Sequence, residues 1–208
     1  METETVCPKC LKEDLLCICA GIAPLPTRRH VLILQHPQEP DKELGSARIT
    51  HLALRNSTMK IGLSWPNLSK ALGRDAVHGN WGALYLGGQS EKPKPEQTKP
   101  DRLTILGKAG KVLRPSEAEL EGIVVLDGTW AQAKTMWWRN AWLLKLKRLV
   151  LHPSRPSLYG KLRKEPRRES LSTIESVAEA LEALGEEPRV PETLRAHFQE
   201  LLRKYRAR

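Results

Sequence analysis

The sequence predicts an α/β domain with a mainly parallel sheet and flanking helices. Three observations lead there. Short apolar runs such as Val31-Leu32-Ile33-Leu34 and Ile123-Val124-Val125-Leu126 recur along the chain and read as buried strands. Longer stretches with apolar residues at helical spacing separate them. The run 123–126 leads directly into Asp127-Gly128-Thr129-Trp130, so an acid, a glycine, a hydroxyl and an indole stand where a strand ends and a helix begins. In open α/β sheets that crevice is where ligands bind.

The first strand, 31–35, stops at His36-Pro37, because proline restricts the residue before it and donates no hydrogen bond. Residues 44–55 read as a helix with Leu44, Ile49, Leu52 and Leu54 as apolar positions. A strand is expected at 59–63 and a short helix at 66–72, with Pro66 near its first turn. The strand 83–86 runs into Gly87-Gly88, and 89–101, with Pro93, Pro95, Pro100 and three lysines, reads as a surface loop. Strands follow at 103–106 and 123–126. A helix is expected over 131–146, with Trp138 and Trp142, four apart, on one face. The next strand, 149–151, ends at His152-Pro153. In the helix 172–184, Ser172 caps the start and Glu175 completes a capping box, while Gly185 ends it. A last helix covers 190–205.

At 208 residues and 23.5 kDa the chain fits one main domain, taken as 26–208, behind a cysteine-rich segment, 1–25. The formal net charge is +10 and the sequence pI about 9.6. The window 134–168 holds eleven Lys or Arg and one acid, Glu165, whereas the rest carries 23 basic and 23 acidic residues. The whole excess therefore follows the Asp127 motif. A solvated basic face is the plain reading of such a run. Here the cations are mixed with Trp137, Trp138, Trp142 and Tyr159. Cations meet phosphates and aromatic rings stack on bases, so RNA contact is the expectation. No segment approaches the ~20 apolar residues of a membrane span. The acidic, polar N-terminus lacks the pattern of a signal peptide, so a cytoplasmic protein is expected.

All four cysteines, Cys7, Cys10, Cys17 and Cys19, fall within thirteen residues. Cys-x-x-Cys is common in zinc sites, while Cys17-Ile18-Cys19 is tighter than a standard knuckle. Four thiolates suit a tetrahedral Zn²⁺. Two disulfides, an iron–sulfur cluster and free thiols are the competing readings. A reducing cytosol disfavours the first, and the second uses other spacings. Such a zinc would be structural, because four protein ligands leave no open position. Gly-x-Ser-x-Gly, Gly-x-x-x-x-Gly-Lys-Ser/Thr, His-Glu-x-x-His and Gly-x-Gly-x-x-Gly are all missing, which argues against hydrolase, P-loop and Rossmann chemistries.

Three strings in order, Asp127-Gly128-Thr129-Trp130, Ser157-Leu158-Tyr159-Gly160-Lys161-Leu162-Arg163 and Leu171-Ser172-Thr173-Ile174-Glu175, resemble the DTW-domain family. His36-Pro37-Gln38-Glu39 resembles its His-Pro-x-Glu element, and the paired N-terminal cysteines are similar too. The family's Asn-Thr pair is replaced by Gly45-Ser46-Ala47-Arg48, in which Arg48 alone matches. The resemblance implies a SPOUT-like, knotted fold with S-adenosylmethionine in loops of the C-terminal half. It further implies transfer of the 3-amino-3-carboxypropyl group of that co-substrate to a uridine of tRNA, by a monomer.

Such a reaction needs an acceptor for the uracil imide proton and alignment of the transferred carbon. Asp127 is the candidate base; capping of the next helix is its plain alternative. Gly128 allows close backbone approach or a positive φ. Thr129 caps the helix or binds ligand. Trp130 covers the adenine or sulfonium, or packs in the core. Ser157 and Tyr159 can hydrogen-bond the co-substrate or a base, and Ser172 and Thr173 open a helix, a natural anion site. Arg48, Lys161, Arg163, Lys164, Arg167 and Arg168 are the candidate RNA contacts. Arg163 equally suits the carboxylate of the transferred group. An RNA methyltransferase of the same fold and a non-catalytic, zinc-stapled RNA-binding protein are the rival readings.

Overall fold

The computed structural model describes residues 5–40, 42–84, 102–107, 110–153, 155–162 and 171–208. Seven strands form one sheet: β1 (His30–Gln35), β2 (Ser57–Ile61), β3 (Trp81–Leu84), β4 (Leu103–Leu106), β5 (Val112–Leu113), β6 (Gly122–Asp127) and β7 (Lys147–Leu151). Their order is β2-β1-β6-β3-β7-β4-β5. The first five in that order pair in parallel, and β4 is antiparallel to both β7 and β5. The expected strands are present, except that residues 85–86 of the one expected at 83–86 lie outside the described residues. The second lies two residues before its expected position, and the third starts at Trp81. The two-residue β5 has too little apolar pattern to read from sequence. The expected loop 89–101 lies outside the described residues.

Both faces of the sheet are covered, as a parallel sheet requires. Successive side chains of β1 divide between them: Val31 and Ile33 join one core, Leu32 and Leu34 the other. The first core is closed by α1 (Ala47–Ala53), α4 (Thr173–Ala183) and α5 (Arg189–Arg206). The second is closed by α2 (Leu68–Leu72) and α3 (Trp130–Arg139). Gly122 opens β6 where no side chain fits: a Cβ there would lie 2.5 Å from the Trp81 ring and 2.7 Å from the His30 carbonyl oxygen. This lets β6 insert between β1 and β3.

The expected helix 131–146 is shorter than its pattern suggested. It ends at Arg139, and 141–145 forms a 3₁₀ turn. Buried Asn140 causes the break. Its Nδ2 donates to the carbonyls of Met136 (2.7 Å) and Leu63 (2.9 Å), and its Oδ1 accepts from the Trp65 amide (2.8 Å) and Trp142 Nε1 (3.2 Å). Trp138 and Trp142 therefore do not share a face. Trp142 is 5% exposed and belongs to the core, whereas Trp138 is 71% exposed.

The cysteine-rich segment packs on this body. Leu16 and Ile18 enter the first core, and Lys204 Nζ on α5 donates to the Cys17 carbonyl (2.7 Å). Among the described residues no helix is long and apolar enough to cross a membrane.

Candidate active site

Because β1 and β6 are parallel neighbours in register, Gln35 paired with Asp127, the loops after them emerge side by side. Asp127 is the last residue of β6 and is buried. Its Oδ2 accepts from Gln35 Nε2 at 2.8 Å, and its Oδ1 accepts from the Thr173 hydroxyl at the start of α4. Three distant pieces of sequence thus meet on one carboxylate. It keeps acceptor capacity for a further proton or donor, since each ionised oxygen has more than one lone pair.

The first wall of the crevice is the 127–132 turn against the 36–39 loop. The His36 amide donates to the Asp127 carbonyl (2.9 Å), and Gln132 Nε2 reaches Gln38 Oε1 (3.3 Å). Gly128 serves close approach, not a positive φ: a Cβ would stand 3.0 Å from Gln132 Cβ and 3.4 Å from His36 Cβ. Thr129 caps α3. Its Oγ1 accepts from the Gln132 amide (3.3 Å), and Gln132 Oε1 accepts from the Thr129 amide (2.6 Å), a complete capping box. Asp127 is therefore not the cap of α3. Trp130, in the first turn, is 37% exposed at the rim.

The second wall is organised by the buried carboxylate of Glu175. Its Oε2 accepts from the hydroxyls of Ser157 (2.9 Å) and Ser172 (2.6 Å) and from the Ser172 amide (2.9 Å). Its Oε1 accepts from the Leu158 amide at 2.7 Å. The expected capping box is present, and the same glutamate also fastens the 157–160 loop to α4. Ser157 and Ser172 thus turn toward Glu175. Tyr159 is buried edge-on against Phe198, with ring centroids 5.0 Å apart, and its hydroxyl donates to the Leu44 carbonyl (3.0 Å). Ser46 stands where the Asn-Thr pair is replaced. It is buried, and its hydroxyl accepts from the Ile174 amide (3.1 Å) at the start of α4.

Sequence reasoning passed over Gln35, Ser46 and Lys12. A polar residue closing an apolar strand was the available signal for Gln35. Lys12 carried none: its ammonium is buried between the carbonyls of Lys42 (3.1 Å) and Glu43 (2.7 Å). Burial pushes its pKa down to about 8, against the opposing pull of Cys10, Asp127 and Glu43, while Arg48 adds to the lowering. The cysteine segment therefore reaches the electrostatic neighbourhood of Asp127.

Gln35 Oε1, Glu39 Oε1 and Arg48 Nε are buried with no hydrogen-bond partner among the described residues. Buried polar atoms are ordinarily paired, and of these three residues Gln35 touches Asp127 through its Nε2. Lys161 lies in a 3₁₀ turn, Gly160–Leu162, while Arg163, Lys164, Arg167 and Arg168 lie outside the described residues.

The four cysteines converge. Cys7 and Cys19 sulfurs are 3.8 Å apart, as are those of Cys10 and Cys17, and all four Sγ atoms lie within 4.8 Å of one another. These are not disulfide distances, and all four thiols are free. A tetrahedron of Zn–S bonds of ~2.3 Å has an S···S edge of about 3.8 Å. Leu11 takes a positive φ of 56°, its amide donating to the Cys7 carbonyl (2.8 Å), which folds the Cys-x-x-Cys turn back on itself. Hydrogen bonding from the Cys10 amide holds the Cys7 thiol down to about 6, near its thiolate form, while burial raises Cys10 and Cys19. The four residues can hold a metal ion such as zinc.

A mostly parallel sheet covered by helices, with a buried carboxylate at the carboxyl end of a central strand, defines an α/β domain whose candidate site lies at Asp127. The DTW domain profile matches residues 4–206, and the chain belongs to the DTW-domain family. It is 27% identical over 211 residues to tRNA-uridine aminocarboxypropyltransferase 2 of Macaca fascicularis, covering 94% of this chain and 61% of that protein. Similarity to the Mus musculus protein of that name is 28% over 204 residues, covering 96% and 63%. To the Drosophila melanogaster one it is 27% over 193 residues, covering 90% and 70%. The chain thus spans a little over three fifths of the length of the two mammalian relatives. No solved structure matches it.

Proposed function

We propose that this protein transfers the 3-amino-3-carboxypropyl group of S-adenosylmethionine to N3 of a uridine in tRNA, leaving methylthioadenosine. The observation that carries the reading is the Gln35–Asp127–Thr173 constellation. It sets a buried carboxylate in the crevice formed by the very strings that resemble the family. The names of the relatives support the reaction and the tRNA substrate.

S-adenosylmethionine supplies a carbon already activated by its sulfonium. The protein's part is alignment and proton transfer. Asp127 accepts the imide proton, and Gln35 and Thr173 hold its two oxygens in place. Arg48 Nε offers a donor to the carboxylate of the transferred group, and Gln35 Oε1 and Glu39 Oε1 offer acceptors to its ammonium. Gly128, Thr129 and Trp130 shape one wall of the co-substrate site. Ser157, Tyr159, Ser172 and Thr173 shape the other, Ser157 and Tyr159 by fixing the loop. Lys161, Arg163, Lys164, Arg167 and Arg168 meet RNA phosphates.

The fold is inferred to be a SPOUT-like knot from the family resemblance, which the mostly parallel seven-stranded sheet accords with. Residues 26–208 form the transferase domain and 1–25 a structural Zn²⁺ segment, supported by the tetrahedral spacing of the cysteines. A cytoplasmic location is part of this reading, since a reducing compartment keeps thiolates available to a metal. Nucleoside mass spectrometry after incubation with S-adenosylmethionine and unmodified tRNA tests the reaction. An aminocarboxypropyl adduct on uridine is expected. A methylated nucleoside with S-adenosylhomocysteine would instead assign the protein as a methyltransferase.

A further inference from the structure

α3 leaves the carboxyl end of β6 and returns the chain to the start of β7, which runs parallel within the same sheet. It therefore lies along the sheet from the candidate crevice toward the opposite end. Ala133 and Met136 face the core. The outer face carries Trp130, Lys134 and Trp138, all exposed, with Trp138 at 71%. Steps of four keep these three on one side of the helix. At ~1.5 Å per residue the two indoles stand about 12 Å apart along its axis. Arg139 is exposed beside Trp138.

Single exposed apolar residues are ordinary. Two indoles flanking a lysine, in a stretch without acid, are not. From Gly128 to Arg148 the chain has five Lys or Arg and no Asp or Glu. Indole faces suit unpaired bases and the cations suit phosphates, which together fit a single nucleic-acid strand.

We infer that the outer face of α3 is a track for the unpaired RNA strand adjoining the target uridine. A base stacks on Trp138, and Lys134 and Arg139 meet the flanking phosphates. This rests on the RNA-uridine reading above and names the surface that guides the strand to the crevice.

The test uses the full chain with unmodified tRNA and with a uridine-containing single strand of about ten nucleotides, within the size of such sites. The variants are Trp138→Ala, Trp138→Phe and Lys134→Glu. Trp138 is exposed, so melting curves should match the parent's. Trp138→Ala should weaken single-strand binding roughly 5- to 150-fold, the range that stacking of one base supplies. Trp138→Phe should restore most of it, and tryptophan fluorescence should be quenched by RNA in the parent and less so in Trp138→Ala. Lys134→Glu should flatten the salt dependence, by about 0.7 in log–log slope for each phosphate the variant no longer neutralises. S-adenosylmethionine affinity should be unchanged throughout. If the parent binds and modifies tRNA while Trp138→Ala binds like the parent, the track is wrong and the proposed function stands. Equal loss on a duplex of the same sequence also overturns it. A parent that binds no RNA overturns both.

Discussion

Replacing Asp127 by Asn separates proton acceptance from ligand holding. Both carboxylate oxygens are engaged, Oδ2 by Gln35 and Oδ1 by Thr173. Asn keeps one acceptor and turns the other into a donor. The neighbours can adapt. Asn can keep its oxygen toward Gln35 Nε2 and turn its N–H₂ toward the Thr173 hydroxyl, which accepts as well as donates, so the Gln35 amide need not turn. The stability cost is then about 1 kcal/mol, one charge-assisted hydrogen bond exchanged for a neutral one. For a chain of this length that is a fall in Tm of roughly 2–4 °C. The catalytic cost is larger. A positioned general base contributes ~10²- to 10⁴-fold in rate. That corresponds to about 2.7–5.4 kcal/mol of barrier at 1.36 kcal/mol per decade. The assay is single-turnover formation of the modified nucleoside, with calorimetric S-adenosylmethionine binding as control. Folded Asp127→Asn with retained binding and a rate reduced by at least ~100-fold is the expected outcome. A near-normal rate would refute proton acceptance by Asp127. Loss of binding and turnover together would make it a ligand-holding group. Asp127→Ala is the contrasting variant: it strands Gln35 Nε2 and the Thr173 hydroxyl and should cost about 1–3 kcal/mol for each.

Three further outcomes are expected. Purified protein should carry about one Zn²⁺ per chain. Cys7→Ser and Cys17→Ser should each lose it and loosen the segment around Lys12, and unchanged metal content in both would exclude the four-cysteine site. Glu175→Gln leaves donors facing an amide N–H₂, at about 1–3 kcal/mol. Hydrogen exchange at the Leu158 and Ser172 amides should then accelerate, and S-adenosylmethionine affinity should fall beyond what the change in Tm explains; unaltered exchange would show that Glu175 does not fasten the 157–160 loop. Charge reversal at Lys161, Lys164, Arg167 and Arg168 should weaken tRNA binding and lower its salt slope, because fewer counterions are released. An undiminished slope would mean that these cations do not contact RNA.

Much of the fold was legible in the sequence because its signals are local. Apolar runs ended by His-Pro or by Asp-Gly mark β1, β6 and β7. The capping box Ser172–Glu175 and the positive φ at Gly185 frame α4 from residues a few positions apart. The α3 boundary was misread because Asn140 is neutral as a sequence signal. It breaks the helix only by meeting the carbonyl of Leu63 and the amide of Trp65, more than seventy residues away.

Sequence alone settled the alternation of strand and helix, the positions of the Asp127, Ser157 and Ser172 strings, the cysteine cluster, and the confinement of excess charge to 134–168. These are properties of composition and short-range periodicity. Three-dimensional packing settled which groups meet. Only the parallel pairing of β1 with β6 brings Gln35 to Asp127, and only the packing of α4 brings Thr173 to its other oxygen. It also placed Tyr159 against Phe198, aimed buried Lys12 at the Lys42 and Glu43 carbonyls, and left Trp138 in solvent while Trp142 filled the core. Such contacts join residues tens of positions apart, and their partners are chosen by sheet order and helix packing, which local pattern does not encode.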